Sequence, residues 1–236
     1  MNRQEFIAEI FNLCPWISDK TIGLFDIYKD FVQQNNAKFN LSRLVSDELI
    51  YEQYFLSSLV PFVRLKNLNF NNDLTLLDIG TGSGIPGVVL KIIFPHLKLT
   101  LLEANKKKCV FLEALLVKLN FYDVKVINDR CENYIHGHYE EYDIVTSRAV
   151  ASLNKILELS VGFAKVNGHI IALKSQQYEA ELLQSQGAIN LLSVKLLFID
   201  DFQFFSHNLV TLDFVKQAKT NQIYPRKWTE IIKKPL

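Results

Sequence analysis

The run Leu76-Leu77-Asp78-Ile79-Gly80-Thr81-Gly82-Ser83-Gly84-Ile85-Pro86-Gly87 has the residue types and spacing of a ligand-holding turn. An apolar stretch ends in an acid, three alternate glycines follow, and a helical pattern begins at Pro86. Glycine is needed where the backbone turns sharply and a ligand approaches with no Cβ in the way. Proline suits a first helical turn, because its missing N–H has no partner there. Gly82-Ser-Gly84-Ile-Pro-Gly87 also satisfies the G-x-G-x-x-G pattern of dinucleotide folds. Two features speak against that ligand: the turn begins at Gly80, two residues before the dinucleotide register, and Asp78 stands at the very end of the strand. An acid-headed loop suits a cationic ligand, and S-adenosylmethionine, with an amino-acid moiety and a sulfonium, has that character.

Further candidates lie at the ends of the next apolar runs. Glu103 closes Leu99-Thr100-Leu101-Leu102, 23 residues beyond Gly80, where doubly wound nucleotide folds place an acceptor for ribose hydroxyls. Lys106-Lys107-Lys108 then opens a helix against the macrodipole, either as a solvated face or as a contact for a polyanion. Asn128-Asp129-Arg130-Cys131-Glu132-Asn133 follows the third run, a position suited to holding adenine through backbone groups and an acid or amide. Arg148 follows the fourth, in Thr146-Ser147-Arg148-Ala149-Val150-Ala151-Ser152, and its fork of donors matches a carboxylate or phosphate.

These residues need a scaffold that brings strand ends together. Seven short apolar runs, at Leu74–Ile79, Leu97–Leu102, Val124–Ile127, Tyr142–Thr146, His169–Leu173, Leu191–Ile199 and Asn208–Phe214, are separated at first by helix-period stretches at Pro86–Phe94, Lys106–Leu119 and Leu153–Phe163. That alternation predicts an α/β fold, a doubly wound and mostly parallel sheet with helices on both faces, closed by an antiparallel edge pair. Residues 1–73 are predicted to be a helical extension packed on a core of residues 74–236. Its helices are signalled by Phe6, Ile7, Ile10 and Phe11, by Leu24, Ile27, Tyr28 and Phe31 after an N-cap at Ser18, and by Asp47–Val60 ending before Pro61. This layer has no evident chemistry of its own.

Composition sets the outer limits. With 236 residues, 49% of them hydrophobic and 22% charged, the chain is not disordered. It has no apolar run as long as the ~18–20 residues of a spanning helix and no secretory pattern at Met1-Asn2-Arg3-Gln4-Glu5. It is read as soluble and cytoplasmic, with no membrane partner. Cys14, Cys109 and Cys131 are few and scattered, and His136 and His138 form an H-x-H in a polar turn. No disulfide framework and no metal is assigned.

The chain resembles the bacterial 16S ribosomal RNA guanine-N7 methyltransferases of the RsmG type, the glucose-inhibited division protein B family. The resemblance rests on Phe39-Asn40-Leu41-Ser42, Tyr54-Phe55-Leu56-Ser57-Ser58-Leu59, Asp78 to Gly87, Lys107-Lys108 with Phe111-Leu112, Ser147-Arg148-Ala149-Val150-Ala151-Ser152-Leu153, Ala172-Leu173-Lys174 and Tyr224-Pro225-Arg226-Lys227. Ser83 and Ser175 depart from the family's usual proline and glycine, and the stretch Trp228 to Ile232 is unlike its usual tail. The resemblance implies a seven-stranded class I methyltransferase sheet in a methyltransferase domain of residues 74–236. It implies S-adenosylmethionine as cofactor, and 16S ribosomal RNA or the small ribosomal subunit as partner. Cofactor contacts carried over from the family fall on Gly80, Ile85, Cys131, Glu132 and Arg148. The broader fold adds Asp78 and Glu103, and the glycine turn itself adds Gly82 and Gly84. Cys131 would contribute backbone rather than thiol. Lys174, Arg226 and Lys227 are candidates for RNA contact.

Guanine N7 already presents a lone pair, so no general base is assigned. Two further readings stand beside methyl transfer to RNA: an NAD-dependent oxidoreductase, and an RNA-binding ribosome-assembly protein without activity. A basic tail argues against a small-molecule methyltransferase. Lys216 to Leu236 holds six basic residues and one acid, a charge of +5, which leaves −4 for the other 215 residues of a chain whose net charge is +1. Tyr224 and Trp228, interleaved with those cations, either stack on bases or pack on the core.

Overall fold

The computed structural model describes residues 1–39, 46–65, 67–70, 72–205 and 207–236, without the side chain of His207. Asn40, Leu41 and Ser42, part of the first family-like segment, lie outside the described residues.

Seven strands, β1 Thr75–Ile79, β2 Lys98–Leu102, β3 Lys125–Ile127, β4 Tyr142–Arg148, β5 Ala164–Lys174, β6 Val194–Phe204 and β7 His207–Lys216, form a sheet in the order β3-β2-β1-β4-β5-β7-β6. Strands β1, β2 and β4 are buried along nearly their whole length, as parallel strands covered on both faces must be. The pairings β2·β3, β1·β4 and β4·β5 are parallel, while β5·β7 and β6·β7 are antiparallel. All seven predicted runs are strands, and the last two form the antiparallel pair that was expected. The sixth begins at Val194 rather than Leu191, because Gln186–Leu191 is helical and Ser193 takes a left-handed φ of 52°.

The chain clusters into two compact units, each made of two stretches: Met1–Asp73 with Thr81–Asn128, and Leu74–Gly80 with Asp129–Leu236. In the first unit, helices Arg3–Leu13 and Asp19–Phe39 enclose an aromatic cluster, with ring centroids of Phe6 and Phe25 at 5.3 Å and of Phe25 and Phe55 at 5.0 Å. Residues 1–73 thus cluster with the segment that carries β2 and β3. The helix expected to stop before Pro61 runs on. Asp47–Leu49 leads into a π-helical stretch, Ile50–Leu56, and then Ser57–Val63, which contains Pro61. At its end the hydroxyls of Ser57 and Ser58 donate to the carbonyls of Gln53 and Tyr54.

In the second unit, β1 is fixed on β4 at its start. The amide and hydroxyl of Thr75 donate to the Asp143 carboxylate at 2.9 and 2.6 Å, and Lys165 pairs with its other oxygen at 2.7 Å. From there the register runs Leu76 to Ile144 through Ile79 to Ser147, so the carboxyl ends of β1 and β4 finish side by side. This is where the strand order reverses direction, the switch point at which open α/β sheets bind ligands.

Candidate functional site

At that switch point, within the second unit, Asp78 is fully buried one residue before the end of β1. Gly80 follows with φ +65°, and a Cβ there would stand 2.7 Å from a γ-methyl of Val150. Only glycine accommodates both the left-handed backbone and that approach. Val150 belongs to the turn after β4. Arg148, half-buried, is the last residue of β4, and Ala149 takes φ 55°. Cys131 opens a short helix, Cys131–Tyr134, and is buried. Burial, reinforced by Glu132, drives its thiol far above the usual cysteine range, so the thiol stays neutral and unreactive; its carbonyl accepts the Ile135 amide at 3.0 Å. Glu132 is half-buried beside it.

The rest of the glycine turn belongs to the first unit. Gly82 and Gly84 have φ of 64° and 102°. The Gly84 amide closes the turn on the Thr81 carbonyl at 2.9 Å. Helix Asp19–Phe39 braces it from the side, where the Tyr28 hydroxyl donates to the Ser83 carbonyl at 2.7 Å. Glu103, at the end of β2, accepts the Gly82 amide on one carboxylate oxygen at 2.9 Å and the Asn105 amide on the other at 2.8 Å. An ionised carboxylate offers about four acceptor sites, so hydroxyl donors can still be received. The Glu103 backbone is itself fixed: its amide donates to Ile127, and its carbonyl accepts from the Asn128 amide group and the Cys109 thiol. Asn105 explains how three lysines can begin a helix, since its side chain accepts the amides of Lys107 and Lys108 and so caps Lys106–Leu119. Lys106 and Lys107 are exposed.

The three residues proposed for RNA contact differ sharply in their surroundings. Lys174, its side chain 9% exposed, donates to the Ala151 carbonyl at 2.8 Å and pairs with Glu181 at 2.7 Å. Arg226 grips the buried Glu158 with two side-chain donors at 2.7 and 2.6 Å, and its backbone amide adds a third bond to the same carboxylate. Lys227 is exposed. Lys216, counted in the basic tail, is fully buried and pairs with Glu140 at 3.0 Å. Two of the tail's six cations are therefore matched by acids outside it, and Lys219, Lys227, Lys233 and Lys234 are the exposed ones.

Sequence reasoning missed Tyr28 and Asn105. Tyr28 sits at a core position of a helical repeat, where an aromatic residue signals packing. Asn105, just before a helical pattern, had a readable N-cap signal. The turn at His136 and His138 has His138 within 2.9 Å of Glu141. Among the described residues no cluster of side chains could hold a metal ion, and no helix is long and apolar enough to cross a membrane.

The family model GidB, rRNA small subunit methyltransferase G, matches residues 21–210. The ribosomal RNA small subunit methyltransferase G of Ureaplasma parvum serovar 3 is 46% identical over 237 residues, covering 100% of both chains. That of Malacoplasma penetrans is 40% identical over 234 residues, 98% of each chain. Among solved structures, the fibrillarin of Aeropyrum pernix, in complex with natively bound S-adenosyl-L-methionine, superposes with a TM-score of 0.52 at 13% identity, covering 67% of this chain and 73% of that one. At that identity the likeness is one of fold alone. Matched by the family model over most of its length and by close relatives from end to end, the chain belongs to the rRNA small subunit methyltransferase G family.

Proposed function

We propose that this chain transfers the methyl group of S-adenosylmethionine to N7 of a guanine in 16S ribosomal RNA, and that the residues at the ends of β1, β2 and β4 hold the cofactor. Membership of the family makes the chain a methyltransferase of small-subunit ribosomal RNA, with S-adenosylmethionine as donor. The observation that carries the site assignment is the acid-headed turn: left-handed glycines at 80, 82 and 84, the buried Asp78 before them, and Glu103 tied to the Gly82 amide. These groups fit the cofactor. A ligand carrying an ammonium, a sulfonium and a ribose diol calls for carboxylates and for backbone without side chains in the way, and both are present.

The bound cofactor supplies an electrophilic methyl group on a positively charged sulfur. Asp78 fixes the loop and offers its charge to the cationic part. Glu103 receives ribose hydroxyls while anchoring the loop. Glu132 and the Cys131 backbone take the adenine, and Gly80, Gly82, Gly84 and Ile85 present backbone. Arg148 reaches the cofactor from the end of β4. None of these residues has to remove a proton, since N7 attacks with its own lone pair. The gain in rate comes from orientation, for which well-aligned model reactions reach effective molarities of ~10⁵–10⁸ M.

The RNA is held by the exposed lysines of the tail, Lys227 foremost, on a target displayed in an accessible loop. Such a substrate places the protein in the cytoplasm. In titrations, wild-type protein should bind S-adenosylmethionine and not NAD, and Asp78→Ala or Gly82→Val should abolish that binding. A preference for NAD, or wild-type affinity in both variants, would overturn the site assignment.

A further inference from the structure

Helix Leu153–Val161 begins without the cap its sequence offers. Ser152 stands at the N-cap position but makes no side-chain cap bond; its hydroxyl pairs instead with the Asn154 side chain at 2.8 Å. The first amide of the helix, that of Leu153, donates to the carboxylate of Glu181 at 2.7 Å. The same carboxylate oxygen pairs with the ammonium of Lys174, which also donates to the Ala151 carbonyl. Glu181 comes from helix Tyr178–Gln184 and Lys174 from the end of β5, so two elements grip both sides of Ser152. An acid beside a helix N-terminus and a cation beside the acid is a favourable arrangement.

The gripped segment is the one the cofactor reading depends on. Arg148 precedes it, Ala149 carries a left-handed φ that a residue with a Cβ adopts reluctantly, and Val150 fills the space left by Gly80. A backbone in that conformation persists when its surroundings over-determine it.

We propose that Glu181 is a positioning residue for methyl transfer: with Lys174 it clamps residues 149–153 so that Arg148 and Val150 are held against the cofactor turn. Lys174 then works inside the protein rather than on RNA. The proposal rests on the methyltransferase reading. Glu181 makes no contact with substrate and acts through the segment it holds.

The test compares wild type, Glu181→Gln, Lys174→Met and the double variant, with Lys174→Gln standing in if Lys174→Met loses its fold. The readouts are affinity for S-adenosylmethionine by titration, separate KM values for cofactor and RNA, the salt dependence of RNA binding, and hydrogen exchange of the Leu153 amide. Each single variant should weaken cofactor affinity about tenfold, the size expected for loss of a charge-assisted bond, and should speed exchange at Leu153. The double variant should be no worse than the poorer single, because the two residues act as a unit. KM for RNA and its salt dependence should not move. If Lys174→Met raises KM for RNA and flattens its salt dependence while Glu181→Gln behaves as wild type, the clamp is refuted. Faster exchange with unchanged cofactor affinity refutes it too, leaving an ordinary helix cap. Wild-type protein that transfers no methyl group would refute the function instead, and the exchange and titration readouts would still decide the clamp.

Discussion

Tyr28 reaches the Ser83 carbonyl from a helix that the sequence marks only as packing, and its hydroxyl would lie 2.8 Å from a Cβ placed on Gly84. The helical layer therefore takes part in shaping the cofactor turn. Tyr28→Phe keeps the ring and removes the bond, so cofactor affinity should fall several-fold, in line with about 1 kcal/mol for a typical hydrogen bond, while the thermal midpoint stays close to wild type. Unchanged affinity would show that ring packing alone shapes the turn. Arg226 invites a different comparison. Its fork holds the buried Glu158, which raises the guanidinium pKa further above its usual value. Arg226→Ala leaves a buried carboxylate without its partner and should cost about 3–5 kcal/mol in urea unfolding. A variant of wild-type stability with weakened RNA binding would make Arg226 an RNA contact after all. The glycine turn and the acids at 78 and 103 were legible because spacing alone reports a backbone that must bend around something. Tyr28 and the partners of Arg226 were not, since which tyrosine or which acid meets a residue across the fold is a tertiary fact.

Strands β1 and β4 carry the ends that matter, and Asp143 sets their register. Burial pushes its carboxyl pKa up, but the Lys165 ammonium and the two Thr75 donors outweigh burial and hold it below the ordinary carboxylate value. A group with a lowered folded pKa contributes stability above its unfolded pKa and loses it as pH falls through the folded one. That contribution should be complete above about pH 4 and disappear in more acid solution. Asp143→Asn should therefore lower the thermal midpoint at neutral pH, and the gap from wild type should narrow as the solution is acidified. A gap that does not depend on pH would mean that the side chain's shape, not its charge, fixes the strands. At this level the sequence was readable wherever a pattern repeats often enough. Seven strands and the long helix Lys106–Leu119 were found from periodicity. Cys131–Tyr134, Tyr178–Gln184, Gln186–Leu191 and Trp228–Lys233 span too few turns to show one. The last residue of Asp47–Val60 was misjudged because Pro61, whose missing N–H usually marks a stop, lies inside the helical segment Ser57–Val63.

Over the whole molecule, a net charge of +1 conceals a basic end and a mildly acidic remainder, and the fold divides that basic end again. Lys216 and Arg226 are neutralised by Glu140 and Glu158, whereas Lys219, Lys227, Lys233 and Lys234 face solvent. Phosphate contacts release counterions with a slope of about −0.7 per contact on single strands. Replacing Lys227, Lys233 and Lys234 by glutamine should flatten the salt dependence of RNA binding by about 2 in that slope without touching cofactor affinity, and an unchanged slope would place the RNA on another surface. Sequence arithmetic found the asymmetry but counted cations that the fold had already paired. What the chain does as a whole is decided by incubating it with labelled S-adenosylmethionine and small ribosomal subunits lacking 7-methylguanosine, then mapping the product by N7-specific chemical cleavage. Label should appear at a single guanine of the 16S RNA as an alkali-labile 7-methyl group, and should vanish with Asp78→Ala. Label on another atom or base, or none at all, would refute methyl transfer to guanine N7.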